Sequence, residues 1–477
     1  MKIENIKNKI KKIVGIENVE FLNHTKNYFS ADLFLVGINF ISIPIFTRFL
    51  SPAEYGLIAV FTALISIAKV VMGLNLHAGI KRYYFDRTES FPQALGTNIV
   101  FSFMLALVIL LSLVLNTKMI ASVLNIDEQL FSCVILVSFL TIPFQILLNY
   151  YQAIKDSKIN STLSIIRSVS IVSLAIVFII LFKEDKYMGR VYSELLVSSV
   201  MFLYSSYFLY KLANFSSLAW KYLKYTLYFS VPLIPHTISG FVLSYFDRIV
   251  IQQLSNSTDS GLYSFAYNVG MLMNILVMAS SKSWNPIFLE EMKKSNLKKI
   301  NNIAFAYSNY IYFAAIGLIL FSKELVMILA DQKYYVSLGI IPIIVVSYVF
   351  VFLYTLYFQY AFHRRKTSLI SINTFLAGAF NIALNYWLIP IYGYVAAAYN
   401  TLFSFALLFV LHYCNARFIL KEKVIPLKLI LPRFLFVISV GILNCLLLGS
   451  METYAVVLMI KILVLLISGY FLIIKTN

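Results

Sequence analysis

The chain is predicted to be an all-α polytopic membrane protein of about 14 transmembrane helices: two six-helix lobes related by a pseudo-two-fold axis along the membrane normal, plus two appended helices. Three observations predict this. Apolar stretches alternate with short Lys/Arg-rich breaks along all 477 residues. Hydrophobic residues make up 60% and charged residues 13%, about half the charge of a soluble domain, and only a bilayer can solvate that much apolar surface. The first half also partly recurs. Tyr28-Phe29-Ser30 and Phe46-Thr47-Arg48 return as Tyr228-Phe229-Ser230 and Phe246-Asp247-Arg248 at an offset of 200, and Glu54-Tyr55-Gly56-Leu57 is echoed by Asp259-Ser260-Gly261-Leu262 at an offset of 205. Asn160-Ser161-Thr162-Leu163 likewise faces Lys366-Thr367-Ser368-Leu369, and Gly189 faces Gly393. An offset near 200 spans six helices, an even number, so the two copies point the same way.

Residues 1–28 open the chain as a basic segment. Ile3, Ile6, Ile10, Ile13 and Val14 share one helical face with Lys2, Lys7, Lys9 and Lys12 around it, which suits a helix lying on an anionic cytoplasmic surface. No cleavable signal peptide is expected. The spans then fall at 29–49, 56–74, 93–115, 129–151, 160–182 and 188–210, the N-terminal lobe within 29–215. Those at 225–251, 261–280, 303–322, 335–361, 367–388 and 392–415 form the C-terminal lobe within 216–424. Spans at 429–449 and 453–474, within 425–477, have no partner in the repeat. Most reach the roughly 20 residues that the hydrocarbon core requires.

With the N-terminus inside, the cytoplasmic segments hold 27 Lys/Arg and the external ones 6, which sets the orientation. The same bias accounts for the net charge of +18 without nucleic acid. External loops are short. Cys133, Cys414 and Cys445 lie in apolar stretches without metal-ligand spacing and read as soft packing.

Charge within a bilayer is costly and marks function. The intramembrane cations are Arg48, Lys69, Arg167, Arg248, Arg433 and Lys461, against Asp32, Glu194 and Asp247. That excess of cations suits an anion. Lys69 and Arg167 are placed about 8 and 10 Å from the inner ends of their spans, and Arg48 and Arg248 at the outer ends as symmetry mates. Glu194 is placed near the opposite face from Arg167, beyond its reach. Asp247, Asp32 and Glu194 are candidates for binding a coupling ion; Lys461 is assigned to helix packing or lipid contact. Pro44 in span 1 and Pro232 with Pro235 in span 7 interrupt the two equivalent helices, which marks moving or site-lining segments. His236 reads as a packing histidine. HExxH, P-loop and GxSxG signatures are missing from the chain, so a transporter rather than an enzyme is expected.

Several runs carry a family resemblance. Thr47-Arg48-Phe49-Leu50-Ser51-Pro52-Ala53-Glu54-Tyr55-Gly56-Leu57 resembles the first-hairpin signature of bacterial polysaccharide flippases of the Wzx type, in the multidrug/oligosaccharidyl-lipid/polysaccharide (MOP) exporter superfamily. Asp247-Arg248-Ile249-Val250 with Gly261-Leu262-Tyr263, and Asn285-Pro286-Ile287-Phe288, are similar to that group's seventh-to-eighth helix patterns. Pro390-Ile391-Tyr392-Gly393-Tyr394-Val395-Ala396-Ala397-Ala398 resembles its turn before helix twelve, with Ala396 where glycine is common.

The resemblance implies alternating access around a central cavity in a bacterial inner membrane. The implied cargo is an undecaprenyl-diphosphate-linked oligosaccharide, moved from inner to outer leaflet among membrane lipids, with the pathway's polymerase and glycosyltransferases as partners. On that reading Arg48, Lys69, Arg167 and Arg248 bind the diphosphate. No cofactor is expected; carrying the anion requires neutralisation or a driving ion, H⁺ or Na⁺. The rival readings are a peptidoglycan-precursor flippase, a cation-coupled drug exporter and a membrane polysaccharide polymerase or ligase.

Overall fold

The computed structural model describes the backbone of residues 19–450 and 454–474 and the side chains of residues 34–444 and 456–472. The expected amphipathic segment at 1–28 lies largely outside the described residues, as do the side chains of Asp32 and Cys445. Among the described residues the chain is helical and carries no strand.

Each expected span is occupied by a helix. The first half runs α1 (Val19–Phe49), α2 (Pro52–Gly73), α3 (Leu76–Asp86), α4 (Phe91–Leu115), α5 (Thr117–Leu124), α6 (Glu128–Leu140), α7 (Ile142–Ala153), α8 (Ser157–Leu181) and α9 (Tyr187–Leu212). The second runs α10 (Trp220–Ser230), α11 (Ile234–Phe241), α12 (Asp247–Leu254), α13 (Ser257–Gly270), α14 (Leu272–Lys293), α15 (Leu297–Leu320), α16 (Ser322–Leu329), α17 (Ile341–His363), α18 (Thr367–Tyr392) and α19 (Tyr394–Cys414). The appended pair is α20 (Leu427–Ser450) and α21 (Tyr454–Gly469). Among the described residues, twelve helical stretches are long and apolar enough to cross a membrane, and Phe34–Phe49 and Val456–Leu472 are shorter apolar ones.

Local chemistry sets the helix ends. Before α2, the Ser51 backbone N–H donates to Glu54 Oε2 at 2.8 Å and the Glu54 N–H donates to Ser51 Oγ at 3.2 Å, a reciprocal cap with Pro52 at the first helical position. The repeat position is closed alike: the Asp259 N–H donates to Asn256 Oδ1 at 2.8 Å. Gly393, at φ +64°, makes the turn between α18 and α19, a conformation that favours glycine. The short helices α5 and α16 sit at the same 205-residue offset as the hairpin motifs.

The chain divides into two compact units whose bounds differ from the expected lobes. One comprises the described residues up to Ile45 with Val71–Leu115 and Ser132–Pro232; the other comprises Phe46–Val70, Asn116–Phe131 and the described residues from Leu233 on. Two of the five divisions fall beside Pro44 and at Pro232; the expected break at Pro44 is not seen, since α1 continues through it. Segments 46–70 and 116–131 join the second unit because their polar groups bond there, as detailed below.

Within the second unit the appended pair is firmly docked. Lys461 is fully buried, and its Nζ donates to both carboxylate oxygens of Glu324 on α16, at 2.8 and 2.9 Å. Asn444 Nδ2 donates to the Ile319 carbonyl at 3.0 Å. Lys461 therefore serves packing, and α21 carries it inward. Lys461→Ala removes the buried ammonium that both Glu324 oxygens accept from and is expected to cost about 3–5 kcal/mol, read as a lower melting temperature of the purified protein. Combining Lys461→Met with Glu324→Gln removes both charges at similar volume and should recover most of that loss.

Candidate functional site

Three polar constellations stand out in this apolar chain. The first surrounds Asp247. A π-helical turn at Val242–Phe246 precedes it, and such bulges re-aim side chains at functional positions. Asp247 is fully buried, and its Oδ2 accepts from the Tyr263 hydroxyl at 2.5 Å and from Thr401 Oγ1 at 2.7 Å. Its Oδ1 accepts from Asn385 Nδ2 at 2.5 Å. Asn385 also donates to Asn381 Oδ1 at 3.1 Å and accepts from Asn400 Nδ2 at 2.9 Å. Asn381, Asn385 and Asn400 are all fully buried.

This donor set fits a small hard cation or a proton. One carboxylate, three amides and two hydroxyls offer oxygen atoms of the kind that such cations select. Two atoms of the ring, Asn400 Oδ1 and Asn381 Nδ2, are buried without a hydrogen-bond partner, the condition in which a bound ion or water is expected. Asp247's hydrogen-bond donors among the described residues are neutral. The neighbouring Arg248, also buried, turns away: its guanidinium donates to the Ser244 carbonyl at 2.6 Å and lies 4.5 Å from the Tyr267 ring centroid.

The second constellation lies in the other unit. Arg167 on α8 pairs with Glu194 Oε1 on α9, and Arg190, one turn before Glu194, pairs with Oε2 at 2.9 Å. The Phe144 ring lies 5.9 Å from the Arg167 guanidinium. The expectation that Glu194 is out of Arg167's reach is therefore corrected. Helix α8 starts at Ser157, three residues earlier than expected, so Arg167 lies about 15 Å along it. What separates the two residues along the axis is within the combined reach of an arginine and a glutamate.

The third is a seam in the second unit, at the ends that the loop charges place outside. An ideal Cβ on Gly56 would lie 2.0 Å from the Ser257 carbonyl oxygen, and one on Gly261 would lie 1.8 Å from that of Pro52. The repeat-related starts of α2 and α13 thus meet backbone to backbone, where only glycine fits. Around them Thr47 Oγ1 donates to the Leu329 carbonyl at 2.8 Å and the Tyr334 hydroxyl to the Leu50 carbonyl at 3.1 Å. Asn268 Nδ2 donates to the Tyr55 hydroxyl at 2.9 Å, and Gln252 Nε2 to the Asn125 carbonyl at 2.6 Å. Helix α13 bears Gly261 of the seam, Tyr263 of the Asp247 ring, and Tyr267 and Asn268 a turn on.

The remaining predicted residues divide. Arg48 is exposed at the end of α1 while its repeat mate Arg248 is buried, so the two are not equivalent. Their predecessors Thr47 and Asp247 are both fully buried, and only the second copy carries a carboxylate. Lys69 is half-buried on α2. Pro44 lies inside α1, Pro232 in the tight turn Val231–Leu233, and Pro235 in the first turn of α11. Arg433 lies 4.1 Å from the Phe305 ring centroid. Asn381, Asn385, Asn400, Thr401, Tyr263 and Arg190 were not among the expected site residues. For Asn381, Asn385, Asn400 and Thr401 the signal was an i,i+4 asparagine pair and an Asn-Thr step inside otherwise apolar spans, which a scan for charge passes over; Arg190 was counted with the external loop charges.

Comparison with known proteins bears on the fold and the family. The model of a family described as "polysaccharide biosynthesis protein" matches residues 25–293. The "Lsg locus putative protein 1" of Haemophilus influenzae is 26% identical over 361 residues, covering 71% of this chain and 85% of that protein. A solved structure of the lipid II flippase MurJ in an inward closed conformation shares the fold at a TM-score of 0.70 and 15% identity, over 93% of this chain and 98% of that one. An inward-facing multidrug resistance MATE family transporter of the MOP superfamily does so at 0.61 and 14% identity, over 82% and 96%. Multi-pass helical membrane architecture and a family match over more than half of the sequence lead to one conclusion: this chain belongs to the polysaccharide biosynthesis protein family.

Proposed function

We propose that the protein is an ion-coupled flippase that carries an undecaprenyl-diphosphate-linked oligosaccharide from the inner to the outer leaflet of the bacterial cytoplasmic membrane. The observation that carries this reading is the buried Asp247 ring in a chain of this family. An intramembrane carboxylate enclosed by neutral oxygen and amide groups suits reversible occupation by H⁺ or Na⁺, which an anion carrier can use as its drive. The rest of the membrane-embedded charge is mainly cationic and suits the diphosphate. Arg167 and Lys69 receive it from the inner side, and Arg48 lies along its exit. Arg248, enclosed against Tyr267, holds α12 to α13 and does not meet cargo.

The test is reconstitution. Liposomes holding a fluorophore-labelled lipid-linked oligosaccharide are treated with an impermeant quencher, which reaches only the outer leaflet. The protein, given an inward H⁺ or Na⁺ gradient, should raise the quenched share well above that of protein-free liposomes. Equal quenching in the two would end the proposal. In cells, Arg167→Ala should abolish surface glycan at normal membrane insertion, with Arg167→Lys keeping part of it.

A further inference from the structure

Two guanidinium groups, Arg167 and Arg190, grip the two oxygens of a single carboxylate, Glu194. One carboxylate cancels one of the two positive charges, so the cluster keeps a net charge of +1 inside an apolar helix pair. A surplus cation at that depth is costly unless it has a use. The arrangement also has unused donor capacity: Arg167 Nε is buried with no hydrogen-bond partner. The Arg167 and Arg190 side chains are 22% and 17% exposed against 10% for Glu194, so the two arginines are the more open members of the trio. Along α9, Arg190 lies one turn nearer the helix start than Glu194, with Arg167 deeper on α8.

We infer that Arg167 and Arg190 form a two-guanidinium clamp for a diphosphate, and that Glu194 is its built-in counter-ion, displaced when the diphosphate arrives. Guanidiniums bind carboxylate and phosphate oxygens with the same planar fork, so a doubly charged anion can take Glu194's place on the same donors, its two charges matching the two guanidiniums. Empty, the trio carries +1; loaded, the anion offsets both guanidiniums, and the displaced Glu194 carboxylate brings the total to −1. This deepens the proposed function, on which it rests, by naming Arg190 as a second ligand and Glu194 as the group that tunes affinity.

The test is a binding titration on the full-length protein in nanodiscs. Geranylgeranyl diphosphate is the lipid probe, inorganic pyrophosphate the head group alone, and geranylgeraniol the tail alone. Removing the competing charge with Glu194→Gln, which keeps the size and one of the two acceptor oxygens, is expected to tighten both diphosphates about tenfold. Arg190→Ala is expected to weaken them about tenfold, with Arg190→Lys recovering part and geranylgeraniol unaffected by every variant. A lipid source of the anion predicts tighter binding of geranylgeranyl diphosphate than of pyrophosphate; a free anion source predicts equal binding, and either supports the clamp. Diphosphate affinity that Glu194→Gln and Arg190→Ala leave unchanged overturns the clamp alone, and a drop in melting temperature beside it marks the trio as a helix brace. Wild-type protein that binds neither diphosphate overturns the cargo reading and the clamp together.

Discussion

Asp247→Asn is expected to abolish ion-driven export while the protein stays folded and inserted. The substitution keeps the side chain's size and one acceptor oxygen for Thr401 or Tyr263, both of which donate to Asp247. It removes the only carboxylate in the ring of Asn381, Asn385, Asn400 and Thr401. A charge-assisted contact of this kind contributes about 1.5–3 kcal/mol, so affinity for the coupling ion should fall on the order of 10- to 100-fold. Two measurements read it: gradient-driven flipping in liposomes, and the rise in melting temperature on adding Na⁺ or lowering the pH. A variant whose melting temperature still responds to the ion as the wild type does would remove Asp247 from the coupling site. Thr401→Val should give a weaker version of the same defect, since it deletes one hydroxyl and leaves the charge.

Gly261→Ala is expected to force the outer seam apart. Its new methyl group would stand 1.8 Å from the Pro52 carbonyl oxygen and 2.9 Å from the Gly56 nitrogen. Backbone cannot swing aside as a flexible side chain can, so the start of α13 must move off α2 or the helices must distort. Single cysteines placed at Ser51 and Ser255 should then react with an impermeant thiol reagent from outside several times faster than in the parent. Gly56→Ala should behave alike, because its Cβ meets the Ser257 carbonyl in the reciprocal contact. Gly37 has open space where a Cβ would go, and Gly37→Ala serves as the silent control. Unchanged labelling in both seam variants would show that the contact adapts without opening.

Most of the helical architecture was legible in the sequence, because hydropathy and loop charge act locally. The apolar spans and the paired hairpin motifs can each be read from residues close together in the chain. The site was legible only where it carried charge. Asp247 and Arg167 stood out, whereas Asn381 and Asn385 looked like ordinary polar residues until α18 brought them against α12. Glu194 was misplaced because a depth counted from span ends ignores the length of two extended arms. The echo of Gly56 in Gly261 was visible too, yet that the two copies touch each other depends on how the repeated hairpins dock, and no local pattern encodes that.

One helix, α13, supplies a hydroxyl to the buried carboxylate near its middle and a glycine to the outer closure at its start. Thermodynamic linkage then binds these two neighbouring sites on one helix to a common ledger. By whatever factor filling the carboxylate pocket favours a parted closure, parting the closure must raise the pocket's affinity by that same factor. On the proposed ion-coupled function, a residue that props this seam open is for this reason also an instrument for retuning how avidly the pocket holds its ion.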